Sequence, residues 1–227
     1  MDHAGGKEEH VKRVFSSINR KYDLVDSLIS FGLDQHWRRI LINEIGIRGG
    51  ATILDCGAGT GKLTEELGQK CPDCMIISVD ITEEMFRKPK TPNARFMVAS
   101  ADSVPLPDGS VDFVLSSYLT RNLSDVGKYF KEAYRLLRKG GRIGNLDIYN
   151  PPGHGFSTLF SIYFYHIVPI FGNLITGTSA YTYLAQSVMN FHTPGKISEM
   201  LENAGFRNVR SRRLMLGSIY AHWGEKS

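Results

Sequence analysis

The sequence predicts an α/β fold, a mostly parallel, doubly wound sheet with a helical N-terminal cap and an apolar insertion before the last helix. Three observations predict it. Short apolar runs alternate with helix-period segments between residues 51 and 148. A glycine cluster, Gly57-Ala58-Gly59-Thr60-Gly61, joins the first apolar run to the first of these helices. Carboxylates stand at or just beyond the ends of three successive runs, at Asp55, Asp80 and Asp102.

The elements follow in order. From Val11 to Glu44 the apolar positions Val11, Val14, Phe15, Ile18, Leu24, Leu28 and Ile29 recur at helical spacing, and Gly32 breaks the pattern before a second stretch, Trp37 to Ile42. This is the cap. Ala51 to Leu54 reads as a strand, Leu63 to Gln69 as a helix, and Met75 to Val79 as a second strand ending at Asp80, which makes a βαβ unit. Further strands are expected at Arg95 to Ala99, Val111 to Ser116 and Arg142 to Ile148. A helix from Asp125 to Arg138 precedes the last of these, with Lys139-Gly140-Gly141 as its stop. Pro194 to Ala204 is helical with Gly205 as its stop, and strands at Val209 to Leu214 and Ser218 to Trp223 close the chain.

Composition sets the outer bounds. The chain has 227 residues, 22% of them charged, and a formal net charge of +4, which suits one soluble domain and excludes disorder, collagen and coiled coil. The basic cluster Arg207, Arg210, Arg212 and Arg213 has no interleaved aromatic, so it reads as a solvated strand face, not a nucleic-acid site. The polar N-terminus lacks an apolar signal region, and three cysteines suit a reducing cytoplasm. Cys71-Pro72-Asp73-Cys74 has redox or metal spacing, but no second pair and no nearby histidine complete a zinc site. The charges are uneven: the 48 residues between Asp147 and Lys196 contain no Asp, Glu, Lys or Arg.

The glycine cluster narrows the ligand. A dinucleotide fingerprint would need glycine where Lys62 stands, and a Walker loop would need glycine at Cys56 and a hydroxyl residue at Leu63. What fits is acidic-x-Gly-x-Gly-x-Gly, which resembles the first motif of S-adenosylmethionine-dependent methyltransferases of the Rossmann-like class I kind. Asp80, 25 residues after Asp55, is then placed beside the ribose hydroxyls, and Asp102 beside the adenine amino group. The resemblance implies cofactor contacts at Asp55, Gly57, Ala58, Gly59, Thr60, Gly61, Asp80, Ile81, Ala101, Asp102 and Ser117. It implies S-adenosyl-L-methionine as cofactor, S-adenosyl-L-homocysteine as product, and no metal.

Further stretches resemble one branch, the C-methyltransferases of ubiquinone and menaquinone biosynthesis. They are Val14-Phe15 with Tyr22-Asp23 and Trp37-Arg38, then Ala101 to Asp108 with Asp112, Ser117 through Arg121-Asn122, Glu132 to Arg142, Tyr181 to Ser187, and Ala204-Gly205-Phe206. This chain departs from the branch where Ala58 separates two glycines, where Lys62 replaces an acidic residue, after Pro151-Pro152, where the segment is shortened, and at His192, where proline is common. On this resemblance the single domain divides into a helical cap (1–48), a cofactor-binding core (49–150), an apolar substrate lid (151–193) and a C-terminal helix with strands (194–227).

The implied reaction is C-methylation of a polyprenyl quinol, demethylmenaquinol or a related benzoquinol. Its phenolic hydroxyl, with a pKa near ~10, must lose a proton to activate the ring carbon. Arg121 is the expected source of positive charge, with Asn122 orienting the hydroxyl and Tyr22 closing over the methyl group. Residues 156–175 have the length of a bilayer span, but His166, Pro169, Gly172, Asn173 and two tyrosines interrupt it. A core helix pair is the plain alternative, and a lid over a lipophilic substrate, touching a membrane surface through 156–176, is the reading preferred. A homodimer and a cytoplasmic location, peripheral to the membrane, complete the expectations. Rival functions are a methyltransferase of a small unprenylated phenol or amine, and a non-catalytic cofactor-binding scaffold.

Overall fold

The computed structural model describes residues 3–18, 22–86, 91–153 and 155–227, with the side chains of residues 3–5, 22, 24, 26 and 28 outside the description. Seven strands form one sheet: β1 (Thr52–Cys56), β2 (Met75–Asp80), β3 (Ala94–Val98), β4 (Val111–Ser117), β5 (Leu137–Ile148), β6 (Arg207–Leu214) and β7 (Ile219–Glu225). Their spatial order is β3-β2-β1-β4-β5-β7-β6. The first five are parallel, and β7 runs antiparallel between β5 and β6. The order reverses between β1 and β4, so a crevice opens at their carboxyl ends.

Alternation along each strand explains the two layers, since successive side chains point to opposite faces. Ile53, Ile76 and Leu115 pack on one face against Leu41, Ile42 and Ile45 of α3 (Asp34–Ile45) and Leu63 and Leu67 of α4 (Lys62–Lys70). Leu54, Val79 and Val114 pack on the other against Tyr129 and Phe130 of α5 (Val126–Leu136) and Ile197 and Leu201 of α9 (Pro194–Asn203). Asp125 caps α5 by accepting from Lys128 N, and Thr193 caps α9 by accepting from Lys196 N.

Three boundaries differ from expectation. The cap is three helices, with α1 (His3–Ile18) and α2 (Tyr22–Ile29) preceding α3, which begins at Asp34 and not at Trp37. α5 stops at Leu136, because Leu137 already pairs with Val111. The pair Gly140-Gly141 therefore lies inside β5 as an irregularity: Gly140 has φ +76, and a Cβ on Gly141 would sit 2.8 Å from Asp112 O. Against the expectation of three reduced cysteines, Cys71 and Cys74 are joined by a disulfide at the amino end of β2, the opposite end of the strand from Asp80, and Cys56 is free and buried.

The uncharged tract is helical. α6 (Gly155–Ile162), a π-helical turn (Tyr163–Ile167) and α7 (Val168–Thr176) run on continuously, and α8 (Ala180–Met189) returns antiparallel beside α7. The π turn directly precedes Pro169, whose missing N–H and ring cannot be fitted into a regular i to i−4 ladder. Phe160, Phe164, Val168, Tyr181 and Val188 form a third core with Ile18 and Val25 of the cap. Gly172 lets α7 touch α8, since any Cβ there would collide with the Tyr181 ring. The run Gly155–Thr176 is the one helix among the described residues long and apolar enough to cross a membrane, with a mean hydropathy of 1.4. Only 17% of its most apolar window is buried, so one face of the run joins this core and the other is open.

Candidate active site

Two clefts meet at the carboxyl ends of the central strands. The first, with ≈ 1000 Å³ of empty space, is walled by Gly57 to Thr60, Asp80 to Thr82, Ala99 to Asp102 and Ser117 to Leu119, and Glu8, Val11 and Phe15 of α1 lie over it. α1 is strapped across by Lys7 Nζ, which donates to Leu123 O at 2.5 Å, and by Ser16 Oγ, which donates to Glu84 at 3.2 Å.

The glycine loop is built for close approach. Gly57 has φ +67, and a Cβ on it would stand 2.6 Å from Leu119 Cδ1, so no other residue fits between the loop and the turn after β4. Asp80 braces the loop, accepting from Gly59 N at 2.8 Å and from Thr82 N at 2.9 Å. Burial pushes the Asp80 carboxyl upward, and these backbone donors oppose that shift.

Most of the expected cofactor residues are on this wall: Gly57, Ala58, Gly59, Thr60, Asp80, Ile81, Ala101, Asp102 and Ser117. Asp102 is held by Ser100 Oγ at 3.0 Å and Lys128 Nζ at 3.2 Å. Gly61 is not on the wall but begins α4 as its N-cap with φ +86. Asp55 also lies behind the wall, where its Oδ2 accepts from Thr64 Oγ1 at 2.7 Å. Its Oδ1 is buried and has no partner among the described groups.

Burial raises the Asp55 pKa to about 7, with Thr64 and Arg38 pulling it down. In the unfolded chain it ionises near ~3.9, so its contribution to stability is fully present below that value and is lost as pH rises through about 7. Relative to Asp55→Asn, the wild type is expected to lose up to ~4 kcal/mol of urea-unfolding free energy between about pH 4 and about pH 8, a difference that separates Asp55 from the opposing gain of buried His222, whose pKa is lowered to about 4.

The expected catalytic residues do not all reach the clefts. Arg121 is turned inward: its Nη1 donates to Asp147 Oδ1 at 2.6 Å and to Tyr118 O at 2.7 Å, both groups being buried, and it lines neither cleft. Its guanidinium is therefore directed away from both clefts, behind Tyr118, and not toward them as expected from the sequence. Asn122 does line the first cleft; it donates to Tyr118 O at 3.0 Å and accepts from Tyr183 Oη at 3.2 Å. The side chain of Tyr22 lies outside the described residues.

The second cleft, ≈ 910 Å³, is apolar, with Ile29, Phe31, Trp37, Ile148, Phe156, Phe160, Tyr163, Phe164, Leu184 and Met215 in its wall. Tyr118 belongs to both clefts. It holds the left-handed conformation (φ +62), strained for an aromatic residue, with its ring between the guanidinium groups of Arg38 (5.1 Å) and Arg121 (5.7 Å). Arg38 lines the first cleft and pairs at 2.5 Å with Asp34, which lines the second. Burial works against ionisation of Asp34, yet Arg38 and Lys62 bring its pKa below the usual carboxylate range. Sequence reasoning missed Tyr118, Asp34 and any role for Arg38 in the site; the i, i+4 spacing of Asp34 and Arg38 on a helix was the available signal.

Lys62 fastens the cap to the loop. Its Nζ reaches Asp34 Oδ2 at 3.3 Å and Ser27 Oγ at 3.4 Å, while Thr60 Oγ1 donates to Asp23 Oδ1 at 2.7 Å.

A glycine loop leading into a helix, a carboxylate closing the next strand and a crevice at the order reversal define a Rossmann-like class I methyltransferase. The sequence model of the ubiE/COQ5 methyltransferase family matches residues 3–226, and the chain belongs to that family. Ubiquinone/menaquinone biosynthesis C-methyltransferase UbiE of Desulfotalea psychrophila is 31% identical over 95% of this chain and 90% of its own length. The enzyme of the same name from Hahella chejuensis is 32% identical over 97% and 93%. A SAM-dependent methyltransferase of Thermotoga maritima superposes with a TM-score of 0.71 at 17% identity, over 95% of this chain and 99% of its own, which speaks to fold alone.

The chain is thus an S-adenosylmethionine-dependent methyltransferase. Its cleft fits that cofactor: a loop without Cβ atoms at Gly57 and Gly59 faces Asp80, whose carboxylate can accept from ribose hydroxyls. Asp55 Oδ1, just behind the loop, suits a cationic ammonium.

Proposed function

We propose that the enzyme methylates a ring carbon of a prenylated hydroquinone, demethylmenaquinol or a related benzoquinol, in quinone biosynthesis. The observation that carries this is Tyr118, the residue that walls both the cofactor cleft and the large apolar cavity, so that a methyl donor and a lipophilic acceptor meet at its ring. The apolar wall of this cleft, with Phe156, Phe160, Phe164 and Leu184, favours a prenylated acceptor over a small phenol or amine. A cytoplasmic location goes with this reading, supported by the biosynthetic role in the relatives' names.

Bound S-adenosylmethionine supplies a methyl group already activated on a sulfonium. What remains for the protein is alignment, exclusion of water and control of two protons, the phenolic one that leaves before transfer and the ring C–H proton whose loss restores the aromatic ring once the C–CH3 bond has formed. The glycine loop and Asp80 hold the cofactor end, while Phe160, Phe164 and Leu184 enclose the prenyl chain. A phenol of pKa near ~10 needs help to ionise at neutral pH. Arg38 provides it, since a fixed cation at the boundary of the clefts favours the phenolate and holds its oxygen. Asp34 offers the carboxylate to which the hydroxyl donates, and Asn122, steadied by Tyr183, fixes the Tyr118 carbonyl.

Narrowing the cavity tests this. Leu184→Trp is expected to raise KM for a long-prenyl hydroquinone by about tenfold or more while leaving an unprenylated analogue within about twofold. Equal losses on both acceptors would count against a prenyl site.

A further inference from the structure

We infer that the outer face of Gly155–Thr176, with the turns at Phe31 and Met215-Leu216, docks on a lipid bilayer and that the apolar cavity is loaded directly from it. This rests on the prenylated-acceptor reading above. Leu159, Ile162, Ile170 and Leu174 project from the helical run at spacings of three, eight and four residues, with Ile167 and Phe171 beside them, so they form one stripe along its length. All are exposed, Leu174 at 77%. Such a stripe exceeds the scattered apolar exposure of an ordinary soluble surface.

The cavity mouth lies on this same face. Leu159, Phe31 and Met215 are both cavity wall and exposed surface, Phe31 at 70%. Phe31 and Met215 hold positive φ values of 54° and 41°, and Leu216 holds 54°. The Phe31 ring stacks on Tyr163 at 5.7 Å, which ties the α2–α3 turn to the helical run at the rim of the cavity.

Charge identifies the occupant. No charged residue lies between Asp147 and Lys196, so the stripe loses no ion solvation on entering an interface. At its margin the Met215-Leu216 turn is anchored by Arg213, whose Nη2 donates to Leu216 O at 2.6 Å, and Arg210 is exposed on the same strand, whereas Arg212 is paired with Glu44 at 2.6 Å. An apolar stripe edged by arginines suits anionic headgroups over acyl chains. The opposite side of the run, through Phe160, Phe164 and Val168, is committed to the cap, so the helix lies in the interface and does not cross it.

The test is flotation of the full chain with vesicles of phosphatidylcholine, with and without phosphatidylglycerol. The wild type is expected to float, more strongly with phosphatidylglycerol, and Arg213→Gln to reduce that preference. The double variant Phe171→Asp/Leu174→Asp, at positions outside both clefts, should lower partitioning by more than about tenfold. It should keep S-adenosylhomocysteine affinity, melting temperature and turnover of a short-chain, water-soluble hydroquinone, but lose turnover of a long-prenyl hydroquinone held in vesicles. Absence of flotation, or flotation indifferent to the double variant, overturns the inference. So does a solution dimer that the double variant splits, which would make this face a contact between two copies of the chain. Failure of the wild type on the soluble hydroquinone would instead sink the acceptor reading and leave the flotation result standing.

Discussion

Arg121→Ala is expected to destabilise the protein by about 3–5 kcal/mol, because it leaves Asp147 buried and unpaired. Asp147 also accepts from Thr120 Oγ1 at 2.7 Å and from Arg121 N at 3.1 Å, so the turn after β4 hangs on this carboxylate. Turnover should fall as well, since the Tyr118 carbonyl loses one of its two donors, keeping only Asn122, and the ring loses a neighbouring cation. The second substitution Asp147→Asn separates these effects. It should restore most of the stability by removing the buried charge, while turnover stays low. If Arg121→Ala kept full stability and lost only kcat, the guanidinium would be acting on substrate after all, and its inward placement would be wrong. Chemical denaturation and steady-state kinetics on the wild type and the two variants decide between these.

Asp80→Ala is expected to weaken S-adenosylhomocysteine binding by about 10–100-fold, the scale of hydrogen bonds to a charged acceptor. Two losses combine. The ribose hydroxyls lose their acceptor, and the amides of Gly59 and Thr82 lose the carboxylate that shapes the loop. Asp80→Asn keeps one acceptor oxygen and should recover part of the affinity. Isothermal calorimetry on the three proteins reads this directly, and unchanged affinity in Asp80→Ala would remove Asp80 from the cofactor site.

Much of this was legible in the sequence, and the reasons are local. Apolar runs such as Met75 to Val79 and the glycine cluster carry their conformation in their own composition, so β2 and the loop stand where expected. Asp80 was legible because a carboxylate that ends a strand beside a glycine turn has one place to go. Arg121 was misread because its partner, Asp147, lies at the end of another strand, and only the β4–β5 register brings the two together. Tyr118 was illegible for a different reason: nothing in the sequence marks an aromatic residue for the left-handed conformation. Lys62 was noticed as a departure, and its job became visible only once α2 and α3 were folded over the loop.

In the proposed reaction, cofactor and lipophilic ring meet at Tyr118 for transfer to carbon. Its most direct test is incubation of the purified chain with methyl-labelled S-adenosylmethionine and a prenylated hydroquinone lacking one ring methyl, followed by NMR of the extracted lipid. Label is expected in a methyl group on the ring carbon. Label on a phenolic oxygen, or no transfer by a chain that binds S-adenosylhomocysteine, would contradict it.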